Sequence, residues 1–188
     1  YLGLDHLPNI YCGVAVFVLL PLYIMCSKVN AREKIGKCVI LLIFLTAFNL
    51  NIPNYIWHGM HFPNSLPCRQ SFIYIFFLLA MCYEAVINLK NSTNKQLGAS
   101  LWIAIGLLLI MEELFINSET EYSFKSVYIS GIFILIYGLL MFIHNNAKLK
   151  IPVVLMLTFS VSIIECTMNM DATGIGTTSR TSYLLDYD

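Results

Sequence analysis

The sequence predicts an all-α protein, a polytopic transmembrane helical bundle of about six spans that covers residues 1–170. Three observations support this prediction. Hydrophobic residues make up 58% of the 188 residues and charged residues only 12%, whereas soluble domains have about 25% charged residues. The apolar residues collect in six stretches. Basic residues concentrate in alternate connections between these stretches.

The six apolar stretches have the length that a membrane-spanning helix needs. They cover residues 10–27, 37–55, 70–89, 97–115, 126–144 and 151–170. About 20 helical residues cross the roughly 30 Å of hydrocarbon in a bilayer. A single segment crosses only as a helix, because each backbone amide must find its hydrogen-bond partner within that segment.

The basic residues predict the orientation of the bundle, because cytoplasmic loops carry an excess of Lys and Arg. Of the 11 basic residues, three lie in connections on one side: Arg69, Lys125 and Arg180. The other eight lie on the opposite side: Lys28, Arg32, Lys34, Lys37, Lys90, Lys95, Lys148 and Lys150. Both ends are therefore predicted to lie outside. The Thr-rich residues 171–188 are predicted to begin an extracellular segment that continues beyond this sequence.

Charge and motifs argue against two other classes of protein. The net charge of zero provides no basic field for nucleic acid, so the expected partner is the lipid bilayer and no nucleic acid. The motifs GxSxG, HExxH and GxxxxGK[ST], which mark several groups of soluble enzymes, do not occur in the sequence.

The outer connection between the second and third stretches carries much of the polar chemistry. It reads YIWHGMHFPNSLPCRQSF at residues 55–72. Pro63 and Pro67 exclude a regular helix through it, and Gly59 permits a tight turn. Its apolar residues predict that it folds back onto the bundle, where its polar side chains could line a site. The candidate site residues are Trp57, His58, His61, Asn64 and Arg69.

These candidates have two interpretations. Arg69 could hold a phosphate or a carboxylate through its planar guanidinium group; alternatively it lies at the membrane interface while the histidines cap helix ends. His58 and His61 could share a metal ion, but the sequence places no third ligand near them, so no metal site is predicted. A requirement for a divalent metal as cofactor is left open.

Acidic residues near the outer ends of two stretches extend the candidate site. Glu112 and Glu113 lie late in the fourth stretch and Glu165 late in the sixth. A charge in the bilayer interior costs about 3 kcal/mol or more, so such a residue faces protein or water. Together with Arg180, Glu112 and Glu165 are predicted to line an outward-facing polar cavity. The alternatives are a solvated helix end for Glu112 and a structural hydrogen bond or ion pair for Glu165.

Several of these segments together resemble a known family. They are LPNIYCG at residues 7–13, the basic inner loop AREKIGK at residues 31–37, and TSRTSYL at residues 178–184 after Glu165. The fourth is the pattern WHG…P…LPxRxSF at Trp57, His58, Gly59, Pro63, Leu66, Pro67, Arg69, Ser71 and Phe72. The chain resembles an internal part of the YfhO-like family of bacterial multi-pass membrane proteins.

The resemblance implies a function that composition and spacing alone do not. The family is regarded as glycosyltransferase-like, of the membrane-embedded GT-C type. It implies transfer of a sugar from a polyprenyl-phosphate carrier to a cell-envelope acceptor, such as lipoteichoic acid, on the outer face of the bacterial cell membrane. The chain would form part of a larger GT-C-like domain. Its catalytic residues are unknown, because the catalytic acid is expected in a first outer loop that precedes this segment.

Two other functions remain open from the sequence. A transporter or flippase-like module should show inverted repeats and helices broken near mid-membrane, and the sequence shows neither. A non-catalytic membrane module that assembles with a partner is the other alternative, because the expected catalytic loop is not in this sequence.

Overall fold

The computed structural model describes residues 10–57, 59–61, 68, 70–116, 124–146 and 150–172. These residues form seven α-helices and one 3₁₀ turn, Leu89–Asn91, and they contain no β-strand. The helices are α1 (Val16–Met25), α2 (Ala31–Asn49), α3 (Asn51–Trp57), α4 (Ser71–Ile87), α5 (Asn94–Ile116), α6 (Phe124–Asn145) and α7 (Ile151–Ala172). The predicted all-α fold class is confirmed.

Helix α1 lies at the centre of the bundle. It packs against α4, α5 and α6, and Val18, Leu22 and Tyr23 on it are at most 1% exposed. The remaining helices pack around this centre, with α2 on α3 and α4, α5 on α6, and α6 on α7. The apolar core therefore forms around the shortest of the apolar helices.

Contacts near the helix ends show that the long helices alternate in direction along the chain. Gln96, at the start of α5, donates a hydrogen bond of 3.0 Å to the carbonyl oxygen of Met25 at the end of α1. Asn145, at the end of α6, donates one of 3.0 Å to Asn94 at the start of α5. Lys37 in α2 pairs with Glu84 near the end of α4. This is the alternation expected of a chain that crosses a bilayer repeatedly.

The described basic side chains all lie at one end of the bundle, called here the basic end. It is the end where α1, α4 and α6 finish and where α2, α5 and α7 begin. The seven residues are Lys28, Arg32, Lys34, Lys37, Lys90, Lys95 and Lys150. That this end faces the cytoplasm stays a prediction from the excess of basic residues.

Four of the six predicted stretches coincide with helices. Helices α4, α5, α6 and α7 begin and end within three residues of the predicted bounds. Within the described part of the chain, three helices are long and apolar enough to cross a membrane, over Asn94–Leu114, Ser126–Asn145 and Pro152–Met170, while Val16–Met25 and Ser71–Ile87 are shorter apolar helices. The total of about six spans stays a prediction.

The first two stretches differ from the predicted bounds. Residues 10–15 are not helical, and Gly13 has φ +95, so α1 begins only at Val16. The expected basic loop at residues 31–37 is wrong, because these residues form the first two turns of α2. Asn30 caps the helix by accepting the Arg32 amide at 3.1 Å, and Glu33 pairs with Lys37 one turn later at 2.6 Å. Both interactions stabilise a helix start.

The close packing of α5 on α6 gives a test of the fold. An added Cβ at Gly138 would lie 2.3 Å from Cδ2 of Leu101. We expect Gly138→Ala to lower the free energy of unfolding by about 1–3 kcal/mol, because Leu101 must shift or the helices must separate. The measurement is unfolding of the purified protein by SDS, followed by helical circular dichroism.

Gly106 in α5 provides the matched control. An added Cβ there meets nothing within 4 Å. Gly106→Ala should therefore not lower the free energy of unfolding, and the higher helix propensity of alanine should raise it slightly. Equal stability of the two alanine variants would contradict the described packing of Gly138 on Leu101.

Candidate functional site

A buried carboxylate lies inside the bundle, at the depth where α1 begins. Glu165 of α7 is 5% exposed. Its Oε1 accepts hydrogen bonds from the hydroxyl of Tyr11 at 2.5 Å and from the backbone amide of Val14 at 2.6 Å. Its Oε2 accepts one from the hydroxyl of Tyr137 at 2.5 Å. These four residues are called the Glu165 cluster.

The local conformation before α1 makes the Val14 contact possible. Gly13 adopts φ +95, a value that residues with a Cβ rarely adopt. A Cβ at Gly13 would lie at an ordinary contact distance of 3.7 Å from Oε1 of Glu165, so the φ angle rather than a lack of space favours glycine here. The Val14 amide lies two residues before α1, outside the hydrogen-bond ladder of the helix. The carboxylate therefore satisfies a backbone donor and lies at the positive end of α1.

The predicted outer connection is attached to the bundle by an aromatic pair and an amide pair. Trp57 of α3 stacks on Phe44 of α2 with ring centroids 4.7 Å apart. Gln70 donates a hydrogen bond of 3.3 Å to Asn54, which is 2% exposed. Gly59 has φ +67, so the tight turn predicted at this glycine is present.

Four of the eight predicted site residues have a described position. Trp57 is 44% exposed, His61 is exposed after the turn, and Glu112 is partly exposed near the end of α5. Glu165 is the buried acceptor of the Glu165 cluster. His58, Asn64, Arg69 and Arg180 lie outside the described residues, so the polar cavity that would combine all eight stays a prediction.

The sequence left two interpretations of Glu165, a place in a polar cavity or a structural hydrogen bond or ion pair. In the structure Glu165 accepts structural hydrogen bonds. The partners could not be named from sequence, because Tyr11 lies 154 residues away and Tyr137 lies 28 residues away. Tyr137 had one signal, since a tyrosine within an apolar stretch needs a hydrogen-bond partner when buried.

The described residues contain no group of three or more His, Cys, Asp and Glu side chains placed to hold a metal ion. Glu84, near the end of α4 at the basic end, pairs with Lys37. Lys37 also pairs with Glu33, so the two acids share one cation.

A long apolar groove runs beside α1, between α4 and α5. Its volume is about 740 Å³, within the roughly 300–1,000 Å³ of pockets that hold small molecules. Phe17, Leu20 and Ile24 line it from α1, and Leu107 lines it from α5. It extends from Tyr11 of the Glu165 cluster to Met25 at the basic end.

Several features define the class of protein. Among the described residues, three helices are long and apolar enough to cross a membrane, successive long helices alternate in direction along the chain, and the basic side chains collect at one end. This is a multi-pass helical membrane protein. Residues 2–188 match the sequence model of the family described as bacterial membrane protein YfhO. The chain belongs to this family and is a bacterial membrane protein. Neither curated proteins nor solved structures gave a match.

The Glu165 cluster generates a prediction about stability. Glu165→Leu removes the carboxylate that accepts from the Val14 amide and from the hydroxyls of Tyr11 and Tyr137, although Tyr137 keeps its contact of 3.1 Å with Ser162. A buried donor left unpaired costs about 1–3 kcal/mol. We expect a loss of about 3 kcal/mol or more in the free energy of unfolding. Glu165→Gln should lose less, because its carbonyl oxygen still accepts a hydrogen bond. Unfolding in SDS measures both variants.

Glu113→Gln is the control for the loss of an acid, because Glu113 is exposed near the end of α5. This substitution should change the free energy of unfolding by no more than about 0.5 kcal/mol. A Glu165→Leu variant as stable as the Glu113→Gln variant would show that the Glu165 cluster contributes nothing to the fold.

Proposed function

We propose that this protein takes part in the transfer of a sugar from a polyprenyl-phosphate carrier to a cell-envelope acceptor, such as lipoteichoic acid, at the outer face of the membrane. The observation that carries the proposal is the family match over residues 2–188, because the family is regarded as glycosyltransferase-like. The polar and aromatic side chains at the end opposite the basic end support it as the place where such chemistry would occur.

The proposed reaction needs two kinds of group. A carboxylate must take the proton from the acceptor hydroxyl, and cations or hydrogen-bond donors must stabilise the charge on the departing phosphate. We assign the second role to Arg69, supported by His58 and His61, with Arg180 as a further cation. Asn64 would contact the substrate from the same connection.

The acidic residues differ in exposure, so we assign them different roles in the proposed reaction. Glu165 already accepts three hydrogen bonds from the protein, so we assign it to holding α7 and the segment before α1 in place beside the substrate. Glu112 is partly exposed and Glu113 exposed, which leaves both free to meet a substrate from outside. We assign Glu112 to substrate binding, together with the exposed ring of Trp57.

Arg69→Ala tests the proposal directly. In membranes that contain the full-length protein, a polyprenyl-phosphate donor with a radiolabelled sugar should transfer label to the cell-envelope polymer. We expect the Arg69→Ala variant to lose at least about 100-fold of this activity, as enzymes do when one group that stabilises the transition state is removed. Amounts of both proteins in the membrane are compared by immunoblot.

Lys95→Ala removes an exposed cation at the opposite end of the bundle and should leave the transfer rate unchanged. An Arg69→Ala variant as active as the Lys95→Ala variant would remove Arg69 from the site. If the wild-type protein transfers no label while its membrane insertion is intact, the proposed reaction itself is wrong.

A further inference from the structure

We propose that the groove beside α1 holds one acyl chain of an anionic phospholipid, with the lipid headgroup bound at the basic end by Lys28, Arg32 and Lys34. This site is distinct from the proposed sugar-transfer chemistry, which lies at the other end of the bundle. The inference therefore does not rest on the proposed function.

The walls of the groove favour hydrocarbon over water. Phe17, Leu20, Leu78 and Leu107 line it, and a water molecule there would need two to four polar partners. The hydroxyl of Tyr11, at one end, already donates to Glu165. An empty apolar space of this size would lose the dispersion contacts that protein interiors normally make.

The groove opens onto the surface that faces lipid. Ile24, Ile103 and Leu107 line it, yet they are 50%, 45% and 42% exposed. In a membrane protein such exposed apolar side chains are in contact with lipid, so the groove is continuous with the lipid surface. An acyl chain can enter from the side without crossing a polar region.

The part of the groove that runs along α1 has about the depth of one leaflet. Helix α1 has 10 residues and is therefore about 15 Å long at 1.5 Å per residue. Half of the roughly 30 Å hydrocarbon thickness is also about 15 Å. A chain that lies along α1 would start at the basic end and finish near the middle of the bilayer.

The charges at the two ends of the groove indicate an anionic lipid whose headgroup lies at the basic end. The ammonium group of Lys34 donates a hydrogen bond of 2.8 Å to the carbonyl oxygen of Ile24, and Ile24 lines the groove. Lys28 and Arg32 are exposed nearby in sequence, and neither forms an ion pair among the described residues. Clusters of basic residues beside membrane helices bind anionic headgroups. At the Tyr11 end the described charged groups are acidic, which disfavours a phosphate there.

Photo-crosslinking of the full-length protein tests this inference. The protein is placed in phosphatidylcholine nanodiscs that contain a small fraction of phosphatidylglycerol with a diazirine in its acyl chain. Mass spectrometry of the irradiated protein should find label on groove residues such as Leu20 and Leu78. This labelling should exceed that by a phosphatidylcholine probe with the same diazirine by at least fivefold.

Two pairs of variants locate the chain and the headgroup. The double variant Lys28→Gln, Arg32→Gln should reduce groove labelling about fivefold per charge removed, whereas Lys150→Gln should not change it. Leu107→Trp should fill the groove and abolish the labelling, whereas Leu109→Trp should not, because Leu109 is exposed on the same helix away from the groove lining. Elution in size-exclusion chromatography confirms that the variants remain folded.

Three outcomes would overturn the inference. One is equal groove labelling by the phosphatidylglycerol and phosphatidylcholine probes. The second is equal labelling in the double variant and in Lys150→Gln. The third is displacement of phosphatidylglycerol from the groove by a diazirine-bearing polyprenyl phosphate, which would show that the groove binds the sugar carrier. Sugar transfer is measured separately, so its failure leaves the lipid result intact.

Discussion

The non-helical backbone before α1 depends on the carboxylate of Glu165. Irregular backbone at membrane depth is tolerated only where it is buried in protein and its polar groups are satisfied. Oε1 of Glu165 satisfies the Val14 amide at 2.6 Å, and Gly13 with φ +95 allows the chain to present that amide. Because α1 packs against α4, α5 and α6, the position of this backbone also determines how the central helix enters the bundle.

The same carboxylate joins the last helix to the first. Among the side chains described in α7, only Val154 and Glu165 are buried, and the helix packs mainly on α6. Apolar side chains of α7 gain little from leaving lipid, because lipid is as apolar as they are. Directed hydrogen bonds to Tyr11 and Tyr137 therefore determine the position and rotation of α7 more than apolar burial does.

Helix bounds that depend on hydropathy and length were predicted from the sequence, whereas those that depend on local backbone conformation were not. The bounds of α4 to α7 were predicted within three residues, because an apolar stretch of spanning length has few alternatives to a helix. The starts of α1 and α2 were not, since one depends on the φ angle of Gly13 and the other on the cap formed by Asn30. An acid within apolar helices must face protein, but the identity of its partners required the fold.

Occupation of the groove would affect the Glu165 cluster through α1. A ligand that binds only the folded protein stabilises it by mass action, and an acyl chain between α1 and α5 would contact Phe17 and Leu107 together. Helix α1 begins directly after the residues that contact Glu165. A lipid that fixes α1 would therefore also hold the Val14 amide against the carboxylate, so that the lipid composition on the basic side determines how rigidly the Glu165 cluster is held.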